Sequence, residues 1–199
     1  MKITSIKTQV KKAAWYSIFV DDKYSFSLSE ISLVESKLAV GQEINSSTIG
    51  RLKELSGEDK AYNRSLHYLS IRARSEWEMA QYLKRKQVAD QAVAKILRRL
   101  RRVDLLDDLK FARSWVETRN AIKPRSIVRL RQELRQKHIE ESITDKVLAD
   151  LKVDDGQVIE QIIIQKRRQS KYQDNQKLMQ YLARQGFRYN DIKTAVMKD

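Results

Sequence analysis

The sequence predicts a mainly α-helical protein: three tandem three-helix repeats forming an elongated curved array, preceded by a small β-rich N-terminal extension. Three observations carry this expectation. Residues 1–29 hold short aromatic and β-branched runs of strand character. Beyond residue 60 the chain has only two glycines, and its single proline, Pro124, falls between helical runs, where it can start a helix without interrupting one. A pattern of cap, apolar stripe and closing turn then recurs at intervals of 51 and 48 residues.

In the extension, residues 15–20 and 24–28 read as two strands of a hairpin, with Asp21, Asp22 and Lys23 as the turn. Ile3, Ile6 and Val10 suggest a further strand. Alternation of Tyr24, Phe26 and Leu28 implies one buried face and a serine-rich wet one. Residues 31–38 look helical, with Gly41 as a turn. Ser46 or Ser47 is expected to cap a short helix that runs to Leu55 and closes at Gly57. The extension is accordingly drawn as 1–58, with repeats at 59–106, 107–153 and 154–199.

The repeats align through their middle helices. Ser75, Ser126 and Asp174 are cap residues whose side-chain oxygens satisfy free amides at a helix start. Met79 and Leu83, Leu130 and Leu134, and Leu178 and Leu182 stand four apart on one helix face. Val88, Ile139 and Phe187 follow, placed to anchor the turn after each helix. A helix precedes each middle one, over 62–69, 111–116 and 158–164, and another follows after Asp90, Glu141 and Asn190. Units of this kind bury little alone and gain stability by stacking.

Charge narrows the partners. The chain has 40 Lys and Arg against 26 Asp and Glu, a net charge of +14. Residues 1–60 are nearly balanced, with 9 basic and 8 acidic side chains, whereas the window 72–137 holds 19 and 8. A polyanion is the first partner to consider. Candidate contacts to it are Arg72, Arg74, Lys84, Arg85 and Lys86, then Arg98, Arg99, Arg101 and Arg102, then Arg125, Arg129, Arg131, Arg135 and Lys137. Such groups fit phosphate contacts that position a protein without reading bases. The same groups also suit solvated helix faces, with cations favouring helix C-termini. Trp77 and Trp115 have the chemistry to stack on bases, but Trp115 lies four residues from Phe111, the spacing of a core stripe, and Trp15 belongs with the extension's core.

Catalytic chemistry finds little support. There is no cysteine, which removes disulfides, thiol nucleophiles and cysteine-based zinc sites. His67 and His138 are isolated. Asp107 and Asp108, the pair that would suggest a metal-dependent nuclease, are consecutive and do not share a helix face, so a capping role fits them better. No glycine-rich phosphate loop is present. The expectation is a protein with no enzymatic activity, no metal and no cofactor. With neither a signal-peptide core nor a membrane span, it is expected in the cytoplasm, away from membranes.

Three stretches carry a resemblance to a known family. Residues 72–78 read Arg-Ala-Arg-Ser-Glu-Trp-Glu, residues 105–116 read Leu-Leu-Asp-Asp-Leu-Lys-Phe-Ala-Arg-Ser-Trp-Val, and residues 124–137 read Pro-Arg-Ser-Ile-Val-Arg-Leu-Arg-Gln-Glu-Leu-Arg-Gln-Lys. In this order, within a three-unit array, they resemble the RecX regulatory proteins along the whole chain. The sequence departs from that pattern at Ala73, where the family often has Pro, and at Lys123, Gln87 and His138, where it often has Gly; only Gly186 keeps the last of these. Costlier or reshaped turns are expected at Gln87 and His138. The resemblance implies a regulator of homologous recombination and DNA repair that binds the RecA recombinase filament on single-stranded DNA. Such a regulator lowers the filament's ATPase, extension and strand exchange, and contacts single-stranded and possibly double-stranded DNA. A monomer is expected. The competing reading is a stand-alone basic helical DNA-binding protein that acts without RecA.

Overall fold

A computed structural model of the protein describes every residue except Lys11, Ala13 and Asp199. The extension begins with three antiparallel strands in the order β1 (Ile3–Thr8), β2 (Trp15–Val20) and β3 (Lys23–Ser29). Asp21 and Asp22 both have positive φ, the geometry of a two-residue hairpin turn whose twist matches the strands. Ile3, Ile18, Val20, Phe26 and Leu28 face one core with Ile44 and Leu52. Three expectations fail locally. Register slips between Ile18 and Phe19, so Tyr24 leaves the row of Phe26 and Leu28 and is exposed. Ser27 is buried instead of wet, because Gln9 Nε2 donates to its hydroxyl and Ser56 Oγ donates to its carbonyl. Val10 lies beyond β1 and is exposed.

Ser29 caps α1 (Glu30–Glu35), accepting the amide of Ser32. Asn45, and neither Ser46 nor Ser47, caps α2 (Ser46–Ile71), accepting the amide of Thr48. This helix does not close at Gly57. It passes through Gly50 and Gly57 without a break and takes in the helix expected at 62–69. Both glycines are exposed, with nothing within 4 Å of where a Cβ would sit, so each costs the helix only about 1 kcal/mol of propensity. What holds α2 down is a buried line of Leu52, Ser56, Asp59, Ala61 and Ser65. Three of these are polar, which is why hydrophobic period missed it.

The remaining helices are α3 (Glu76–Arg85), α4 (Asp90–Arg102), α5 (Asp108–Ile122), α6 (Ile127–Gln136), α7 (Glu141–Asp150), α8 (Asp155–Arg167), α9 (Asn175–Arg184) and α10 (Tyr189–Lys198), with a 3-10 turn at Ser170–Tyr172 before α9. The caps fall where the repeat placed them. Ser75 Oγ accepts from Glu78 N at 3.2 Å, Ser126 Oγ from Arg129 N at 3.1 Å and Asp174 Oδ1 from Lys177 N at 3.1 Å. Each middle helix closes in the same way, with Val88, Ile139 and Phe187 donating their amides to Leu83, Leu134 and Leu182. Such a closure needs a left-handed residue just before the anchor. Gln87 (φ 59), His138 (φ 55) and Gly186 (φ 90) occupy that place. The non-glycine turns therefore keep their shape, each bearing the roughly 1–2 kcal/mol that a side chain costs in left-handed backbone.

The chain divides into two compact units. The first comprises Met1–Ala73 and Met79–Leu105; the second comprises the short segment Arg74–Glu78 and everything from Leu106 on. Besides the sheet's core, the first unit buries Met79, Leu83, Val93, Ile96 and Leu100. The second has two apolar clusters. One gathers Phe111, Ala112, Val116, Leu130, Leu134, Ile139, Val147 and Leu148, with Trp115 packed against it. The other gathers Val158, Ile159, Ile162, Ile163, Leu178, Leu182, Phe187, Ile192 and Val196 with Tyr172.

Candidate functional site

Polar latches organise the second unit before any surface does. Ser126 Oγ, besides capping α6, donates to Gln185 O at 3.0 Å, and Ser75 Oγ does the same to Lys137 O at 2.9 Å. An aspartate in the first helical turn of the next repeat receives the following amide: Asp108 Oδ1 takes Glu76 N at 2.8 Å, and Asp155 Oδ1 takes Ile127 N at 2.7 Å. Within the first unit, Asp59 takes Ser29 N at 2.9 Å and Ser32 Oγ at 2.8 Å. Asp107 is the α5 cap, accepting from Leu109 N and Lys110 N. The expected capping role thus holds for Asp107, whereas Asp108 is a latch. Partial burial holds the Asp155 carboxyl above the ordinary carboxylate value; Asp191 and Asp154 push it the same way, and the Ile127 amide and Arg188 pull it down.

The basic candidates of this unit stand among carboxylates. Arg125 and Arg129 converge on Glu133, each at 3.8 Å, beside Arg119 at 2.8 Å. Arg131 pairs with Asp145 at 2.5 Å and lies 3.8 Å from Glu141, which Arg135 also approaches at 3.9 Å. Lys137 Nζ reaches Glu78 Oε1 at 2.7 Å, and its ammonium lies 5.2 Å from the centre of the Trp115 ring. Arg125 also donates to Gln185 Oε1. Arg74 is half-buried at the start of the latch segment. Surplus positive charge survives, since Glu133 alone answers three guanidiniums. Trp115 sits against the core and donates its Nε1 proton to Glu133 Oε2 at 3.0 Å. Trp77 is 38% exposed and lies stacked on His138, 4.2 Å between ring centres.

In the first unit, helix α4 carries the clearest stripe. Lys95, Arg98, Arg99 and Arg102 recur at the spacing of one helix face and line one open groove. Arg99 lies over Tyr62, 3.8 Å from the ring centre, and Lys95 pairs with Glu58 at 2.6 Å. Among the described residues Arg98 and Arg102 have no carboxylate within ion-pair distance. Arg101 is exposed and does not line that groove. Lys84 pairs with Asp90 at 3.3 Å, Lys86 lies 5.9 Å over Tyr82, and Arg85 is exposed. Arg72 is exposed and donates to the carbonyl of Ala73.

Sequence reasoning missed Lys95, whose place in the stripe a helical wheel anchored on Arg98 and Arg102 would have found. It also missed the acidic pair Asp154-Asp155, which repeats Asp107-Asp108 at an interval of 47 residues. Among the described residues no three His, Asp or Glu side chains gather as a metal would need, and no helix is long and apolar enough to cross a membrane.

Sheet, capped middle helices and latched turns define a protein of tandem three-helix domains behind a small N-terminal β module. Family models match in that order: the RecX N-terminal domain over residues 1–45, and the first, second and third RecX three-helix domains over 61–100, 107–148 and 157–196. The chain is 32% identical to the regulatory protein RecX of Oceanobacillus iheyensis, over 94% of this chain and 72% of that one. It is 30% identical to that of Bacillus subtilis, over 98% and 75%. A crystal structure of a regulatory protein RecX superposes with a TM-score of 0.78 at 30% identity, covering 98% of each chain. That of RecX from Lactobacillus salivarius shares the fold at 24% identity, with a TM-score of 0.60 over 71% of this chain and 95% of that one. The chain belongs to the RecX regulatory protein family.

Proposed function

We propose that this chain binds the RecA filament on single-stranded DNA and lowers its ATP hydrolysis, extension and strand exchange, without chemistry of its own. Family membership carries the reading, supported by the matches along all four domains. The basic surplus agrees with it, because a filament on DNA offers a polyanion. In this reading the fourteen basic candidates divide by their pairing. Arg98 and Arg102 are free to meet phosphate, whereas Arg125, Arg129, Arg131, Arg135 and Lys137 first order the surface that carries them.

Co-sedimentation tests the binding step. Labelled protein is spun with RecA filaments on single-stranded DNA, with DNA alone, and with RecA alone, at a salt concentration that suppresses DNA binding. Sedimentation with filaments only is expected. No recovery with filaments at that salt, together with salt-sensitive recovery on DNA alone below it, would transfer the assignment to a stand-alone DNA-binding protein.

A further inference from the structure

We infer that the first unit carries a binding groove for single-stranded nucleic acid, centred on α2 and largely separate from the basic residues singled out by sequence. The inference deepens the reading above and rests on it for the choice of single strand. Lys60, Asn63, Arg64 and His67 recur at one-face spacing along α2 and form one wall of an open groove of about 800 Å³. Lys12 lies on the groove with its ammonium 5.6 Å from the centre of the Trp15 ring. Trp15 is only 5% exposed, so it serves as floor and not as a stacking surface. Tyr82 completes the lining, its ring held flat against Tyr68 at 4.0 Å and 6° between planes.

Charge separates this groove from the other basic surfaces. None of the described residues lining it is acidic. Among the described residues Lys12, Lys60 and Arg64 have no carboxylate within ion-pair distance, unlike Arg131 or Lys137. The groove also continues. Trp15 and Asn63 belong as well to a neighbouring pocket that includes Tyr62 and Arg99, and Arg99 in turn belongs to the α4 stripe with Arg98 and Arg102. Two carboxylates stand in the middle stretch. Asp59 is buried and occupied by Ser29 and Ser32, and Glu30 is exposed.

A track of cations interleaved with an exposed imidazole and a rigid tyrosine is the chemistry of single-strand binders, where phosphates meet cations and bases lie on flat rings. Its concavity fits a flexible strand, whereas a duplex is read by an element that projects into its groove. No arrangement here selects a base, so binding is indifferent to sequence.

The test is fluorescence anisotropy of a labelled oligo-dT with the full chain. It compares wild type, the double variant Lys60→Ala/Arg64→Ala, and the charge-matched control Arg51→Ala/Lys53→Ala, whose positions are exposed on α2 outside the groove. Each single-strand phosphate contact contributes about 0.7 to the slope of log affinity against log salt. Losing two lowers the slope by about 1.4, which is about 25-fold in affinity at 0.1 M salt relative to the 1 M reference. That loss, with the control within about twofold of wild type, is the expected result. Equal binding by the two double variants overturns the groove, as does a wild-type chain that ignores the oligonucleotide, and equal competition by duplex overturns the single-strand assignment. If RecA-dependent effects vanish in Lys60→Ala/Arg64→Ala while no oligonucleotide binds, the groove takes an acidic protein segment and the inference fails. Each reading can also fail alone: groove-dependent DNA binding without any effect on RecA sinks the regulatory reading only, and an effect on RecA without DNA binding sinks the groove only.

Discussion

Replacing Ser126 by Ala removes two bonds with one atom. Its hydroxyl accepts from Arg129 N and donates to Gln185 O, and the residue is wholly buried. Loss of a helix cap costs about 1 kcal/mol. Withdrawing the donor from the Gln185 carbonyl costs about 1 kcal/mol more, so the expected destabilisation is about 2 kcal/mol. Ser75→Ala should match it, because Ser75 makes the corresponding pair of bonds to Glu78 N and Lys137 O. Asp174→Ala loses an exposed cap that makes no second side-chain bond among the described residues, and about 1 kcal/mol or less is expected. Urea unfolding followed by helical circular dichroism reads the difference as a shift in midpoint at constant slope. The latch predicts a coupling as well. A Cβ added at Gly186 would lie 2.7 Å from Ser126 Oγ, so Gly186→Ala should cost less in the Ser126→Ala background than in wild type. Equal costs for Ser126→Ala and Asp174→Ala, together with additive behaviour of Gly186→Ala, would refute the claim that one hydroxyl serves two repeats.

Three further outcomes follow from the same geometry. Gln87→Gly relieves left-handed backbone at an exposed site and should raise the unfolding free energy by about 0.5–1 kcal/mol, read as a higher midpoint in the same urea assay. Asp155→Asn keeps an acceptor for the Ile127 amide but removes a charge whose pKa the fold raises. A raised carboxyl contributes stability in full below its unfolded value, and that contribution is lost as pH rises through the folded one. Wild type should therefore gain on Asp155→Asn as pH falls from neutrality into the mildly acidic range, and a reversed trend would contradict the assignment. Glu133→Gln strips the shared counter-charge from Arg119, Arg125 and Arg129. It should cost about 1–2 kcal/mol in unfolding while steepening the salt dependence of DNA binding in anisotropy.

Periodicity revealed the helices whose buried stripes are apolar. Met79 with Leu83, Leu130 with Leu134 and Leu178 with Leu182 are all buried without measurable exposure, and the caps before them were legible as residue types. It failed on α2, because Ser56, Asp59 and Ser65 face inward there and are satisfied by hydrogen bonds that no hydropathy pattern encodes. Ser27 went wrong for the same reason. The basic candidates were visible as composition, but their pairing was not. Glu133 lies within ten residues of Arg125 and Arg129 in sequence, yet whether a carboxylate answers one cation or three depends on where α5 brings Arg119. The groove on α2 was hidden more deeply. Its cations sit in the nearly charge-balanced first 60 residues and just beyond, and only the fold brings Lys12, Lys60 and Arg64 to one cleft.

The most direct test of the regulatory reading is RecA's single-stranded-DNA-dependent ATP hydrolysis, followed while this protein is added from well below equimolar up to equimolar. The account predicts a fall already at sub-stoichiometric ratios, as expected of a protein that acts on filaments or their ends. A rate that stays unchanged up to equimolar addition would contradict it.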